Sequence, residues 1–204
     1  YMITVIDYGA GNLFSVEKAF SAIGAEVCVS ERSVDLTSAD TIVLPGVGAF
    51  GDCMTRLNAS GLVPLLKERI AEGVPLLGIC VGLQILFEGS EESPDVQGLG
   101  LLRGHVKKIS AKNEKIPHMG WNAVHIAENY KGSGLLNNIP DASYVYFVHS
   151  YHAVPSDPSM ISSTCCYGEK ITASIASNHI MATQFHPEKS GKIGLAMIRN
   201  FANC

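Results

Sequence analysis

Short runs of β-branched and leucine residues alternate with helically spaced apolar residues along the first 87 positions, and that alternation restricts the fold more than any other feature. Met2 to Ile6 is a strand-like run; after the glycine-rich turn DYGAGN, Leu13, Val16, Phe20 and Ile23 recur at helical spacing and stop at Gly24. Ala25 to Ser30 and Thr41 to Leu44 predict a second and a third strand. Leu62 to Ala71 predicts a helix with Leu62, Leu65, Leu66 and Ile70 marking its faces, and Pro75 to Ile79 a further buried strand. Strands that alternate with helices in this way need a parallel sheet wrapped by right-handed crossovers, the doubly wound α/β class.

After Phe87 the texture changes. EGSEESPDVQGLG reads as a polar surface loop, and the strand-like runs that follow are closely spaced, with no long helix between them. His105 to Ile109, Trp121 to Ile126, Tyr144 to Val148, Met160 to Cys166 and Ile171 to Ala176 are expected to pair antiparallel. Ser177-Asn178 reads as a hairpin turn into Ile180 to Phe185, and Gly191 to Ala202 as a closing helix. The expected architecture is a mainly parallel central sheet with antiparallel strands in the C-terminal half. It forms a single domain over residues 2–204, with Tyr1 ahead of Met2 left out as an added residue.

At 204 residues and 47% hydrophobic, the chain can bury one sizeable core. A formal charge of −4 and scattered histidines offer no basic face to nucleic acid and no polybasic run to a membrane, so the expected partners are small molecules or proteins. The longest apolar stretch, Val74 to Phe87, is interrupted by Pro75 and Gln84 and falls short of the roughly 20 residues a membrane span needs. No signal peptide is read at the start. Six cysteines without a CxxC pair fit a reducing cytoplasm.

GICVG at 78–82 places Cys80 between glycines directly after a predicted strand. A nucleophile at a sharp strand-to-helix turn needs such small neighbours, and a helix N-terminus would stabilise its thiolate while the Val81 N–H faces an oxyanion. Alone, the motif equally describes a small buried cysteine. QFHPEKS at 184–190 adds His186 and Glu188 at a predicted strand end; Pro187 keeps His186 out of helical conformation, so both side chains should project to one side. A carboxylate can then fix the imidazole while its other nitrogen takes the thiol proton. PGVGAF at 45–50 leaves the strand before Cys80 at the same sheet edge, making the Val47 or Gly48 N–H the second oxyanion donor.

Together GICVGLQ, QFHPE and PGVG resemble the class I (triad) glutamine amidotransferases. DYGAGN, PHMGWN at 117–122 and FVHSYH at 147–152 resemble the glutaminase subunits of imidazole glycerol phosphate synthase within that family. The resemblance implies that Cys80 attacks the amide of L-glutamine, that His186 moves protons, and that Glu188 orients it. It places Gln84, His149, Ser150 and Tyr151 at the glutamine. It further implies a heterodimer with a (β/α)₈ cyclase that consumes the ammonia in histidine biosynthesis, with Tyr8, Gly11, Asn12, Met119, Trp121 and Lys189 facing it. No cofactor and no metal are implied. Val81-Gly82-Leu83 and His152 depart from the family's usual residues.

Two other readings compete. A related glutaminase could feed a different acceptor, such as a sugar-modifying synthetase. A non-catalytic dinucleotide-binding module would use Gly9, Gly11 and Glu31, but Phe14 stands where its third small residue belongs. Core packing of Trp121 competes with its interface role.

Overall fold

The computed structural model describes residues 1–111, 113–131 and 134–204. Its first half runs β1 (Met2–Ile6), α1 (Leu13–Ala22), β2 (Glu26–Ser30), α2 (Ser33–Thr37), β3 (Thr41–Gly46), α3 (Phe50–Ala59), α4 (Val63–Ala71), β4 (Leu76–Cys80) and α5 (Val81–Gln84). Strand β1 pairs in parallel with β2 and β3, and β3 with β4. Every residue of β3 and β4 is buried, the continuous pattern that parallel strands show when both faces are covered.

The second half comprises β5 (Gly89–Ser90), β6 (Gly104–Lys108), β7 (His118–Ile126), β8 (Ser143–His149), β9 (Tyr151–Pro155), β10 (Ile161–Tyr167), β11 (Glu169–Ser177), β12 (Ile180–Thr183) and α6 (Gly191–Ala202). A nine-stranded sheet has the order β2-β1-β3-β4-β12-β11-β10-β7-β8. It is parallel through β12 and antiparallel beyond it, as expected. The hairpin between β11 and β12 turns at Asn178 with φ of 52°, the left-handed conformation that asparagine tolerates.

Several boundaries differ from the sequence reading. Helix α3 was hidden behind PGVGAF, although Phe50, Cys53, Met54 and Leu57 carry its buried face at helical spacing. EGSEESPDVQGLG is more than a surface loop: its Gly89–Ser90 segment joins β6 and β9 in a separate three-stranded sheet. The strand expected to reach Phe185 stops at Thr183, and HPE lies in a 3₁₀ turn, Pro187–Lys189, because proline supplies no ladder N–H.

What positions the site is the register at the carboxyl edge. Gly46 lies opposite Cys80 and Thr183 opposite Ile79, so the ends of β3, β4 and β12 come together there. In the core Phe20, Phe87, Phe147, Phe185 and Phe201 are fully buried. No helix among the described residues is long and apolar enough to cross a membrane.

Candidate active site

Cys80 ends β4 with φ 57° and ψ −112°, a conformation that side chains rarely adopt and that surrounding packing has to impose. The packing is backbone on backbone. A Cβ on Gly82 would stand 1.9 Å from the Leu44 carbonyl oxygen, and one on Gly46 would stand 2.6 Å from the Gly82 nitrogen. The helix after Cys80 is only four residues long, so the expected macrodipole reduces to the free N–H groups of a single turn.

His186 Nδ1 and Glu188 Oε1 are 2.7 Å apart, with 3% and 1% of their side chains exposed. The extended pair expected from sequence is replaced by an extended His186 followed by the 3₁₀ turn that swings Glu188 back beneath the ring. Backbone bonds hold the histidine: its N–H donates to the Tyr146 carbonyl, and the Ser190 hydroxyl donates to its own carbonyl at 2.6 Å. Nε2 is buried without a hydrogen-bond partner, while Cys80 couples to it electrostatically. Burial disfavours the imidazolium, but its interactions with the Cys80 sulfur and the Glu188 carboxyl outweigh that and push the His186 pKa up to about 10.

The loop after β3 is held by groups the sequence reading assigned elsewhere or passed over. Tyr8, expected on the partner face, is buried and donates its hydroxyl to the Pro45 carbonyl at 2.6 Å; burial raises its pKa, keeping it a donor. The Cys53 thiol, also kept protonated by burial, donates to the Val47 carbonyl at 3.3 Å. In a trans peptide this turns the Gly48 N–H the opposite way. Glu92 and Ser93 accept from the first N–H groups of α3, those of Phe50 and Gly51, in place of a side-chain cap from Ala49.

A cavity of about 330 Å³ is lined by Val47, Gly48, Cys80, Val81, Gln84, Glu92, Pro117, Val148, His149, Ser150, Tyr151 and His186. A wider cleft of about 1010 Å³ beside His152 and Glu169 contains none of the triad. All four residues expected at the glutamine line this cavity with Cys80. The His149 ring is tied to His118 and to the Tyr151 carbonyl, each at 2.8 Å. Gln184, missed although it opens the QFHPE motif, is fully buried and points its amide at the Cys80 sulfur from 3.8 Å. Glu92 was missed because its loop read as solvent-exposed.

Of the remaining positions expected at a partner, Gly11 is half-buried and Asn12 caps α1 by accepting from the Ser15 N–H. Met119 and Trp121 are 62% and 55% exposed, which removes the core reading of Trp121. Their outward face of β7 continues across β8 through Tyr144 and Tyr146; Lys189 reaches over the Tyr146 ring, which in turn stands beside His186.

The family model "Glutamine amidotransferase class-I" matches residues 4–203. The chain is 51% identical over 200 residues to the imidazole glycerol phosphate synthase subunit HisH of Methanothermobacter thermautotrophicus, covering 98% of this chain and 97% of that one. It is 48% identical over 201 residues to the HisH subunit of Thermosynechococcus vestitus, covering 98% and 95%. Among solved structures, PurLQS from Thermotoga maritima superposes with a TM-score of 0.76 at 17% identity, over 99% of this chain and 97% of that chain, a likeness of fold. With the model spanning nearly every residue and relatives half identical end to end, the chain belongs to the class I glutamine amidotransferases, in the HisH branch of that family.

Proposed function

We propose that the chain hydrolyses L-glutamine to L-glutamate and ammonia as the glutaminase subunit of an imidazole glycerol phosphate synthase, with Cys80 as nucleophile. The observation that carries this reading is the buried His186–Glu188 pair at 2.7 Å with its free Nε2 coupled to Cys80 in one cavity. The Cys80 thiolate adds to the carboxamide carbon, and the oxygen takes the negative charge. The Val81 N–H and a donor from the Val47–Gly48 segment meet that oxyanion. His186 Nε2 gives its proton to the nitrogen, the C–N bond breaks, and ammonia leaves a thioester. His186 then takes a proton from water as it attacks, releasing glutamate and restoring the thiolate. Glu188 holds the ring and stabilises its charge without exchanging a proton.

The cavity's chemistry fits the rest of glutamine. Both N–H bonds of Gln84 are occupied, by the Tyr151 carbonyl and Gln184 Oε1 at 3.1 Å each, so Gln84 can offer only an acceptor. Glu92 is the one carboxylate among the described lining residues and, beside the bond its Oε2 accepts from Phe50, pairs with the α-ammonium. The partner is a (β/α)₈ cyclase that takes up the ammonia for histidine biosynthesis. The exposed face of Met119, Trp121 and Tyr144, beside Lys189, supports a docking surface next to the triad. Six free cysteines support a reducing, cytoplasmic setting.

Glutamate formation by the purified chain, with and without a (β/α)₈ cyclase and its nucleotide substrate, tests this reading. Low activity that rises by orders of magnitude with the loaded cyclase is expected. High activity indifferent to the cyclase would keep the triad and overturn the pathway.

A further inference from the structure

Five side chains and one carbonyl outside the triad form a continuous hydrogen-bonded chain that ends on the nucleophile. Asn122 Nδ2 lies 3.2 Å from His118 Nε2, and His118 Nδ1 lies 2.8 Å from His149 Nε2. His149 Nδ1 lies 2.8 Å from the Tyr151 carbonyl, which also accepts from Gln84 Nε2. Gln84 Nε2 bonds Gln184 Oε1, and Gln184 Nε2 faces Cys80 Sγ. Apart from Asn122, which is partly covered, these side chains are at most 6% exposed.

Only one arrangement of protons satisfies this chain. A carbonyl can only accept, so His149 carries its proton on Nδ1 and, when neutral, accepts at Nε2. His118 must then donate from Nδ1 and accept at Nε2, where the amide of Asn122 donates. The orientation of Asn122 is fixed independently, because Nδ2 also donates to the Cys166 carbonyl at 2.9 Å and Oδ1 accepts from the Ala123 N–H at 2.8 Å. Burial lowers the pKa of His118 to about 4 and of His149 to about 3, so both rings are neutral at physiological pH and the order holds.

We propose that His118 and His149 are positioning residues for glutamine hydrolysis: locked in one proton order, they fix the Tyr151 carbonyl and, through it, the amides of Gln84 and Gln184. Gln84 is thereby held with its oxygen free for the substrate, and Gln184 with an N–H on the Cys80 sulfur. Packing alone requires the rings but not the proton order. His118 stacks between Phe147 and Tyr167, with centroids at 4.6 and 4.1 Å, and a phenylalanine would satisfy that role.

The proposal rests on the glutaminase reading, so its test includes a readout that does not need glutamine. In the chain assembled with its cyclase, kcat and KM are measured for His118→Phe, His118→Asn and Asn122→Asp. The rate of Cys80 alkylation by iodoacetamide is followed by peptide mass spectrometry. His118→Phe keeps the stacking and removes the donor. A fall in kcat/KM of about tenfold or more is expected, with Cys80 alkylation slowed severalfold, because small displacements at a reacting pair are strongly felt. His118→Asn loses the ring but places Nδ2 where Nδ1 stood, and recovers most of both losses. Asn122→Asp is isosteric and accepts where the amide donated, so His118 must carry a proton on Nε2; assayed at about pH 9, where the ring stays neutral, it loses its donation to His149 and should resemble His118→Phe.

Values for His118→Phe within about twofold of the unchanged chain on both readouts would overturn the proposal, as would His118→Asn proving worse than His118→Phe. If the phenylalanine variant does not fold, Asn122→Asp at about pH 9 decides alone, and turnover and alkylation within about twofold of the unchanged chain at that pH refute the proton order. If the unchanged chain hydrolyses no glutamine, the proposed function fails, while the ranking of alkylation rates still reads the network.

Discussion

Gly82 and Leu44 touch backbone to backbone: a methyl group on Gly82 would stand 1.9 Å from the Leu44 carbonyl oxygen. The turn that carries Cys80 is therefore set by its contact with the neighbouring strand. Gly82→Ala is expected to cost roughly 1–3 kcal/mol, the range for overpacking, and to lower Tm by several degrees. Glutaminase activity should fall further than the stability loss explains, because relief of the clash moves Cys80. Full activity in a folded Gly82→Ala chain would contradict this.

Cys80→Ala and Cys80→Ser should abolish glutamine hydrolysis while leaving the fold and cyclase binding intact. Stability adds a less ordinary expectation. With φ at 57° the position strains any side chain, a cost on the order of 1–3 kcal/mol. Cys80→Gly is therefore expected to be at least as stable as Cys80→Ala in urea unfolding, although glycine elsewhere is destabilising by about 0.5–1 kcal/mol relative to alanine. A clearly less stable glycine variant would mean that the turn is unstrained.

Glu188→Gln should lose less turnover than His186→Ala, since the carboxylate orients and stabilises the ring while the ring moves protons. Single-turnover glutamate formation by both variants compares them directly. Equal losses would assign Glu188 a larger part.

Stability should depend on pH with a defined sign on each side of neutrality. Burial lowers His118 to about 4 and His149 to about 3 from their usual 6.5, so below pH 6.5 the unfolded chain binds more protons than the folded one. Stability present above pH 6.5 is thus lost as pH falls through the folded values. His186, raised to about 10, acts oppositely: its contribution is complete below 6.5 and lost as pH rises toward 10. Urea midpoints measured from pH 4 to 10 are expected to peak near neutrality; a midpoint unchanged between pH 6.5 and 4 would mean that the buried histidines are not held neutral.

Trp121→Ala should change the stability of the isolated chain by no more than about 0.5 kcal/mol, as for an exposed side chain. Its effect belongs to assembly: a loss of about 2 kcal/mol, roughly thirtyfold in Kd for the cyclase, is expected by titration calorimetry. Unchanged affinity would remove Trp121 from the interface.

The motifs at Cys80, His186 and Glu188 were legible because their chemistry uses distinctive residues at fixed local spacing, and the parallel half was legible because buried strands form continuous apolar runs. Helix α3 was readable in the same way but lay behind a glycine-rich loop. Gln184 and Glu92 were not legible: each is an ordinary polar residue whose role comes from neighbours far along the chain, Cys80 for one and Phe50 for the other. Tyr8 was assigned to the partner face because DYGAGN resembles segments that face the cyclase, yet the Pro45 carbonyl offers its hydroxyl a buried acceptor.

By itself the sequence determined the alternation of β1, α1, β2, β3, α4 and β4, the glycines around the nucleophile, and the residue types of the triad, all of which follow from periodicity and local chemistry. Tertiary structure alone decided that Gly46 pairs opposite Cys80, that Tyr8 and Cys53 hold the loop between β3 and α3, and that two distant histidines order the amides around the sulfur. The physical reason is that register, burial and the direction of a hydrogen bond are properties of pairs of residues. A pair separated by tens of positions acquires them only when the chain has closed on itself.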